Sequence, residues 1–188
     1  LNSGPSSIAA AVLPILKQNN ILSMSMAPSP DSTDPSKFPL NFDLAPGATD
    51  TARGISEYAK SKGYSSVGVL HGSTAYGELF GEEMTSALQS AGLKAAGNEE
   101  YDAAALDMTA QLQSLKNSGA AAIALDAYGA PLGYVLQSLE RLGWDVPLVG
   151  NTSVSATNLI ANDPPAGVLG TPQVKNLVTQ VFSSTVFD

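Results

Sequence analysis

Hydrogen-bonding and aromatic side chains collect at three places in this sequence where a short apolar run has just ended. Ser65–Leu70 runs into His71, Gly72, Ser73 and Thr74; Ala121–Leu125 runs into Asp126, Ala127 and Tyr128; Val146–Val149 runs into Gly150, Asn151, Thr152 and Ser153. In open α/β sheets ligands bind beyond the carboxyl ends of the strands, so polar groups gathered there read as the mouth of a binding crevice. Tyr76 and Tyr128, in the sequences AYGE and AYGAP, each offer a flat apolar wall and one hydroxyl to a small ligand. Each can also pack on its own helix terminus, but their recurrence at equivalent places favours the ligand-facing role. Asp126 can pair with a ligand ammonium or cap the helix that follows, and the sequence leaves both readings open.

Signatures of catalysis are mostly missing. There is no G-x-S-x-G elbow, Walker loop, G-x-G-x-x-G or H-E-x-x-H. The single histidine, His71, cannot build a multi-histidine metal site and has no identifiable nucleophile beside it, so an ordinary loop position is favoured. Tyr58 and Lys62 fit the Y-x-x-x-K pair of short-chain dehydrogenases, but the glycine-rich turn that seats a dinucleotide pyrophosphate is not present. Asn151-Thr152-Ser153 fits a glycosylation sequon, and its place at a strand end suits ligand contact or a turn equally well. Glu82, Glu83, Glu99, Glu100 and Asp102 are expected on helix faces or loop edges as solvated surface. No cofactor and no metal is expected.

The elements that must position these groups alternate. Four helix-like stretches end in Gly63, Gly92, Gly119 and Gly143, and an apolar run follows each. Glycine accepts the left-handed conformation that stops a helix, and short apolar runs suit strands buried on both faces. The fold class is therefore α/β, with a parallel sheet flanked by helices. Tyr76–Ala91, Asp107–Ser118 and Pro131–Leu142 carry apolar stripes at helical spacing, and Pro131 suits a first turn. Ser6–Gln18 reads as a helix in which Pro14 predicts a kink or early break, with Asn19–Asn20 as its stop. Ile21–Met26 and Phe38–Leu44 read as extended segments around a surface loop rich in Pro, Ser and Asp. Pro46 and Gly47 mark a hinge, after which Thr49 or Asp50 can cap a helix running to Gly63. Beyond Val149 the pattern predicts a short helix at 157–161, a short strand at 167–170 and an amphipathic helix over Val174–Phe182.

Composition narrows the partners. The 188 residues are 44% hydrophobic, ample for a packed core, and carry a net charge of −8 with nine Lys and Arg residues. No basic patch is available for nucleic acid or an anionic membrane. The absence of cysteine excludes disulfides and thiolate chemistry but permits either redox compartment. No apolar run approaches the roughly 20 residues needed to cross a bilayer. The opening LNSGPSS reads as the interior of a protein, which suggests a fragment or a processed form.

Three stretches taken together resemble a known family, the type I periplasmic solute-binding proteins of ABC importers, in the branch that binds leucine, isoleucine, valine and related compounds. They are GPSSIAAAVLPILKQNNILSMSMAPS, KSKGYSSVGVLHGSTAYGELFGEEM and LDMTAQLQSLKNSGAAAIALDAYGAPLGYVLQSLERLGWDVPLVGNTSV. The resemblance implies two Rossmann-like lobes joined by a hinge: residues 1–45 in an incomplete first lobe, 46–168 in the second, and 169–188 returning toward the first. It implies a non-enzymatic protein that catches a small amino acid, or a related carboxylate or amide, and delivers it to an ABC permease. The location implied is periplasmic or extracellular, with a lipid anchor, if any, on a segment outside this sequence. By the resemblance, Ser6 or Ser7 holds the solute carboxylate, Ala27 and Ser29 add backbone and hydroxyl contacts, and Tyr76 and Tyr128 form the wall. Two positions depart from the family: Thr152 stands where amino-acid binders carry an acidic residue, and Asp43 where an arginine is common. Asp126 is then the candidate to replace the missing acid. The alternatives are a sensory or regulatory domain of the same fold and, on Tyr58 and Lys62, a dehydrogenase-like enzyme.

Overall fold

The structure is a computed structural model that describes residues 6–26, 29, 31–32, 34–155 and 171–181. Its elements, in chain order, are α1 (Ser6–Gln18), β1 (Ser23–Ser25), β2 (Asn41–Asp43), α2 (Ala48–Ser61), β3 (Ser66–Gly72), α3 (Ala75–Ser90) and β4 (Lys94–Tyr101). There follow α4 (Thr109–Asn117), β5 (Ala122–Leu125), α5 (Ala130–Arg141), β6 (Leu148–Gly150), α6 (Thr152–Ser155), α7 (Pro172–Lys175) and β7 (Leu177–Thr179). β1 and β2 form a two-stranded sheet, and the others form a five-stranded sheet in the order β4-β3-β5-β6-β7. Every pairing is parallel.

Glycine makes the alternation work: Gly63, Gly92, Gly119 and Gly143 all take positive φ, between 53° and 77°, just past the ends of α2, α3, α4 and α5. A side chain with a Cβ is disfavoured there, and the reversal returns the chain to the sheet. Strand residues then divide between two cores. Leu70, Ile123, Leu125 and Leu148 pack with α4 and α5, while Val67, Val69, Ala122, Ala124 and Val149 pack with α2 and α3. This period-2 division is what a sheet covered on both faces requires.

The two-stranded sheet is patterned the other way. Ser23 and Ser25 are buried and donate to Asn41 Oδ1 at 2.6 and 3.0 Å, while their neighbour Met24 and its register partner Phe42 are exposed. Ile8, Ile15, Ile21, Leu22 and Leu44 of the same unit are also exposed.

Several expectations need correction. Pro14 does not break α1, which is continuous to Gln18. The cap of α2 is Gly47 with no side-chain bond, so Thr49 and Asp50 lie inside its first turn. Glu99 and Glu100 belong to β4, an edge strand that starts at the apolar run after Gly92 and whose alternating exposure hid how far it continues. The helix expected over Val174–Phe182 is instead the single turn α7 followed by β7, because Leu177-Val178-Thr179 finds a free edge beside β6 and pairs with Leu148–Gly150. The elements expected at 157–161 and 167–170 lie outside the described residues.

Candidate functional site

With all strands of the larger sheet parallel, the ends of β3, β5 and β6 lie on one edge, and Tyr76, Asp126, Tyr128, Asn151 and Thr152 follow those ends. Local chemistry seats the first of them. Thr74 caps α3 by accepting from the Gly77 amide at 3.0 Å, and a Cβ on Gly77 would stand 2.0 Å from the carbonyl oxygen of Gly72. Only glycine lets α3 begin this close to the end of β3, which brings Tyr76 over the sheet edge. Its ring stacks on Phe80 with centroids 6.4 Å apart.

Asp126 is the centre of the polar network. Its side chain is buried, its backbone amide donates to Leu70, and its Oδ1 accepts from Asn151 Nδ2 at 2.7 Å. The Tyr101 hydroxyl donates to the Asp126 carbonyl at 2.9 Å. Burial pushes the Asp126 carboxyl above its ordinary range, against the pull of Asn151, the neighbouring His71 and Ser153. Burial together with the Asp126 charge pushes the Tyr76 phenol up to about 12, while the Thr51 and Asn151 side chains pull the other way. Tyr101 is raised well above an ordinary phenol for the same two reasons.

Asp126 is not the cap of α5, whose N-cap is Gly129 with no side-chain bond. The residue that holds the carboxylate is Asn151, which the sequence offered as a sequon, a ligand contact or a turn. It is fully buried, its Oδ1 accepts from the Ser153 amide at 3.1 Å, and its carbonyl accepts from the Thr179 hydroxyl at 2.7 Å. A glycan cannot be carried on an amide so enclosed. Thr152, named from the sequence in place of Asn151, opens α6 half-buried beside it. Tyr128 is 64% exposed, free to form a wall at the rim. Tyr101 was missed because it carries no motif, and Asn151 was seen at the strand end but not as the partner of Asp126. Their one signal is position, just past or at the last residue of a strand.

Three lysines of the larger unit lie away from this edge. Lys60, Lys94 and Lys116 donate to the carbonyls of Ala91, Ser118 and Leu142, where helices end and strands begin, so they collect on the opposite edge. Arg53 is paired with Asp50 at 2.7 Å. The mouth therefore presents a carboxylate, phenols and amides. Tyr58 and Lys62 also sit at a helix end, the ammonium 5.3 Å above the phenol ring, an arrangement that accounts for the pair without redox chemistry.

The remaining candidates are in the smaller unit. Ser29 and Ser32 bond reciprocally, each amide donating to the other's hydroxyl at 2.7 and 3.2 Å, and Ser32 donates onward to Asp43 at 3.0 Å. Asp43 thus anchors the loop after β1. Ala27 and the side chains of Ser6 and Ser7 lie outside what the structure describes. A cavity of about 180 Å³ lies between α1 and the two-stranded sheet, lined by Leu13, Leu16, Phe38 and Leu40, and none of the mouth residues faces it. Among the described residues no helix is long and apolar enough to cross a membrane.

Comparison with known proteins follows this geometry. The family model described as periplasmic binding protein matches residues 2–180. A leucine-, isoleucine-, valine-, threonine- and alanine-binding protein of Pseudomonas aeruginosa is 29% identical over 119 residues, covering 62% of this chain and 31% of that protein. Among solved structures, a periplasmic binding protein type 1 from Bordetella pertussis superposes with a TM-score of 0.73 at 25% identity, over 92% of this chain and 44% of the other. An ABC-transporter solute-binding protein from Rhodopseudomonas palustris, solved with 3,4-dihydroxybenzoic acid, superposes with a TM-score of 0.73 at 18% identity and speaks to the fold alone. The chain spans less than half the length of these relatives.

Proposed function

This chain belongs to the periplasmic binding protein family, and from that premise we propose that it captures a small amino acid or a related carboxylate or amide between two lobes and delivers it to an ABC permease. Members of the family and its neighbours are substrate-binding proteins rather than enzymes, and the family implies a location outside the cytoplasmic membrane. Residues 1–45 are assigned to the first lobe and 46–168 to the second. The segment 169–188 is assigned to the return, of which Leu177–Thr179 lines the second lobe's sheet before the crossing.

One observation carries the choice of solute: a buried carboxylate, Asp126, at a sheet edge from which lysine is absent. A solute ammonium or amide N–H₂ brought to that edge answers the carboxylate and the phenol oxygens, while a second anion is disfavoured. The amino acids named for the Pseudomonas relative fit this requirement. Ser6 or Ser7, Ala27 and Ser29 are assigned to the solute's carboxylate end, and Tyr76, Tyr128 and Thr152 to its flanks. Solute contacts made by both lobes favour the closed state, and only that difference in affinity drives closure.

A thermal-shift screen of the full-length protein against amino acids, aromatic acids, amides and ureas tests the proposal. Stabilisation by at least one neutral amino acid is expected. Stabilisation by aromatic acids alone would refute the role given to Asp126.

A further inference from the structure

Tyr101 ends β4 in register with Gly72, the last residue of β3. Its side chain is buried in the core that the sheet forms with α4 and α5. From there it crosses the neighbouring strand: the hydroxyl donates at 2.9 Å to the carbonyl of Asp126, one residue past the end of β5. Gly72 makes the crossing possible, because a Cβ there would stand 3.3 Å from Cε2, Cζ and the hydroxyl oxygen of the ring at once, and a packed ring has little room to retreat. The backbone of Tyr101 ties down the adjoining loop, its carbonyl accepting from the Ser73 amide at 2.8 Å, while the Ser73 hydroxyl accepts from the Ala103 amide at 3.2 Å.

The bond from Tyr101 falls where the ladder stops. Leu70 and Leu125 are the last residues paired between β3 and β5, and just beyond them the Asp126 amide donates to Leu70 at 3.0 Å. Tyr101 takes the carbonyl of the same residue, and Asn151 Nδ2 takes its carboxylate at 2.7 Å. Three groups of Asp126 are thus held from three directions. Ala127 packs with Tyr101 in one core, so by the alternation of the sheet the Asp126 side chain projects to the opposite face, the one on which Ala122 and Ala124 lie. Tyr101 therefore acts on Asp126 from behind the sheet.

We propose that Tyr101 is a positioning residue of the solute edge, a latch across β3 that fixes the Asp126–Ala127 peptide, and with it the carboxylate and the direction in which the chain departs toward Tyr128. The latch rests on the reading of this edge as a solute site. It adds a residue that touches no solute yet sets where the carboxylate stands, and it gives Gly72 its physical reason. Without the hydroxyl the peptide plane is free to turn, and a small turn there re-aims the groups on both sides of it.

Full-length protein, isotope-labelled at aspartate carbonyl carbons and alanine amide nitrogens, supplies the test. The readout is the cross-peak joining the Asp126 carbonyl to the Ala127 amide, assigned as the one lost in Asp126→Asn. Tyr101→Phe keeps the ring and removes the donor, and Gly72→Ala displaces the ring while keeping the hydroxyl; each is expected to shift this peak. L-Leucine affinity, titrated well below the melting transition, is expected to fall about fivefold in each, and the double variant to lose no more than one alone, because both remove the same contact. Leu139→Ala is the control for loosening of the core, since it truncates a buried side chain in the last turn of α5, at the opposite edge of the sheet. It is expected to lower the melting temperature and leave affinity within twofold of wild type. A cross-peak unmoved in both Tyr101→Phe and Gly72→Ala, affinity retained in Tyr101→Phe, or an equal affinity loss in Leu139→Ala overturns the latch. Wild-type protein that ignores L-leucine and every other amino acid overturns the solute reading instead, while the cross-peak still decides whether Tyr101 holds the peptide.

Discussion

Replacing Asn151 by alanine should remove the one side chain that both satisfies the buried carboxylate and fixes the start of α6. Two bonds disappear: the 2.7 Å donation to Asp126 Oδ1 and the 3.1 Å acceptance from the Ser153 amide. A hydrogen bond to a charged group contributes about 1.5–3 kcal/mol and a neutral one about 1, so the expected loss at neutral pH is about 2–4 kcal/mol. On a scale of about 2–4 °C per kcal/mol, the melting temperature falls by roughly 4–16 °C. The loss should depend on pH. Asp126 already has a folded-state pKa above its ordinary value of 3.8, so the folded state binds the proton more readily than the unfolded one. By itself this group stabilises the fold as pH falls from neutral through the raised value, and the contribution is withdrawn as pH rises through it. Without Asn151 the charged form loses its donor and the folded pKa rises further. The penalty of Asn151→Ala is therefore present above the raised value and shrinks as pH falls through it, because the protonated carboxyl no longer needs that donor. Urea denaturation of the full-length protein and the variant across this range measures it. A loss below about 0.5 kcal/mol at neutral pH, or one that grows on acidification, would refute the account of Asp126 as a charge held by Asn151.

Other consequences can be measured separately. Tyr128→Ala should weaken solute binding by about 1–2 kcal/mol with no change in melting temperature, since the side chain is 64% exposed; unchanged affinity for the best solute would displace the mouth. Tyr76, with its phenol near 12 in the folded state, contributes stability below about pH 10 that is lost as pH rises through 12, so Tyr76→Phe should flatten part of the alkaline loss seen by calorimetry. Gly77→Ala should cost about 3 kcal/mol or more, because a Cβ 2.0 Å from a backbone oxygen cannot be relieved by a rotamer change. Tyr58→Phe and Lys62→Ala should each leave solute affinity within twofold of wild type, because the pair sits at the far edge of the sheet; a larger loss by calorimetric titration would reopen a functional role for it.

The alternation of helix and strand was legible because each turn is set locally. Glycine at 63, 92, 119 and 143 stops a helix whatever surrounds it, and apolar runs such as Val67–Leu70 and Ala122–Leu125 need burial on both faces. That is enough to give a parallel sheet and the placement of Tyr76, Asp126 and Tyr128 after strand ends along one of its edges. β4 was legible only at its start, the apolar run after Gly92, and β7 not at all, because edge strands show half an apolar pattern or three residues of one, and the partner that makes them strands is far away in sequence.

By itself, then, the sequence determined the order of the units and which residues follow a strand, since these depend on a few neighbouring φ, ψ choices. Only the tertiary structure decided that Asp126 is held by Asn151, that Tyr76 lies beside Thr51, and that Gln180 reaches back 129 positions to Thr51 over a glycine. A hydrogen bond between remote residues depends on how the packed layers superimpose, and no local preference along the chain carries that information.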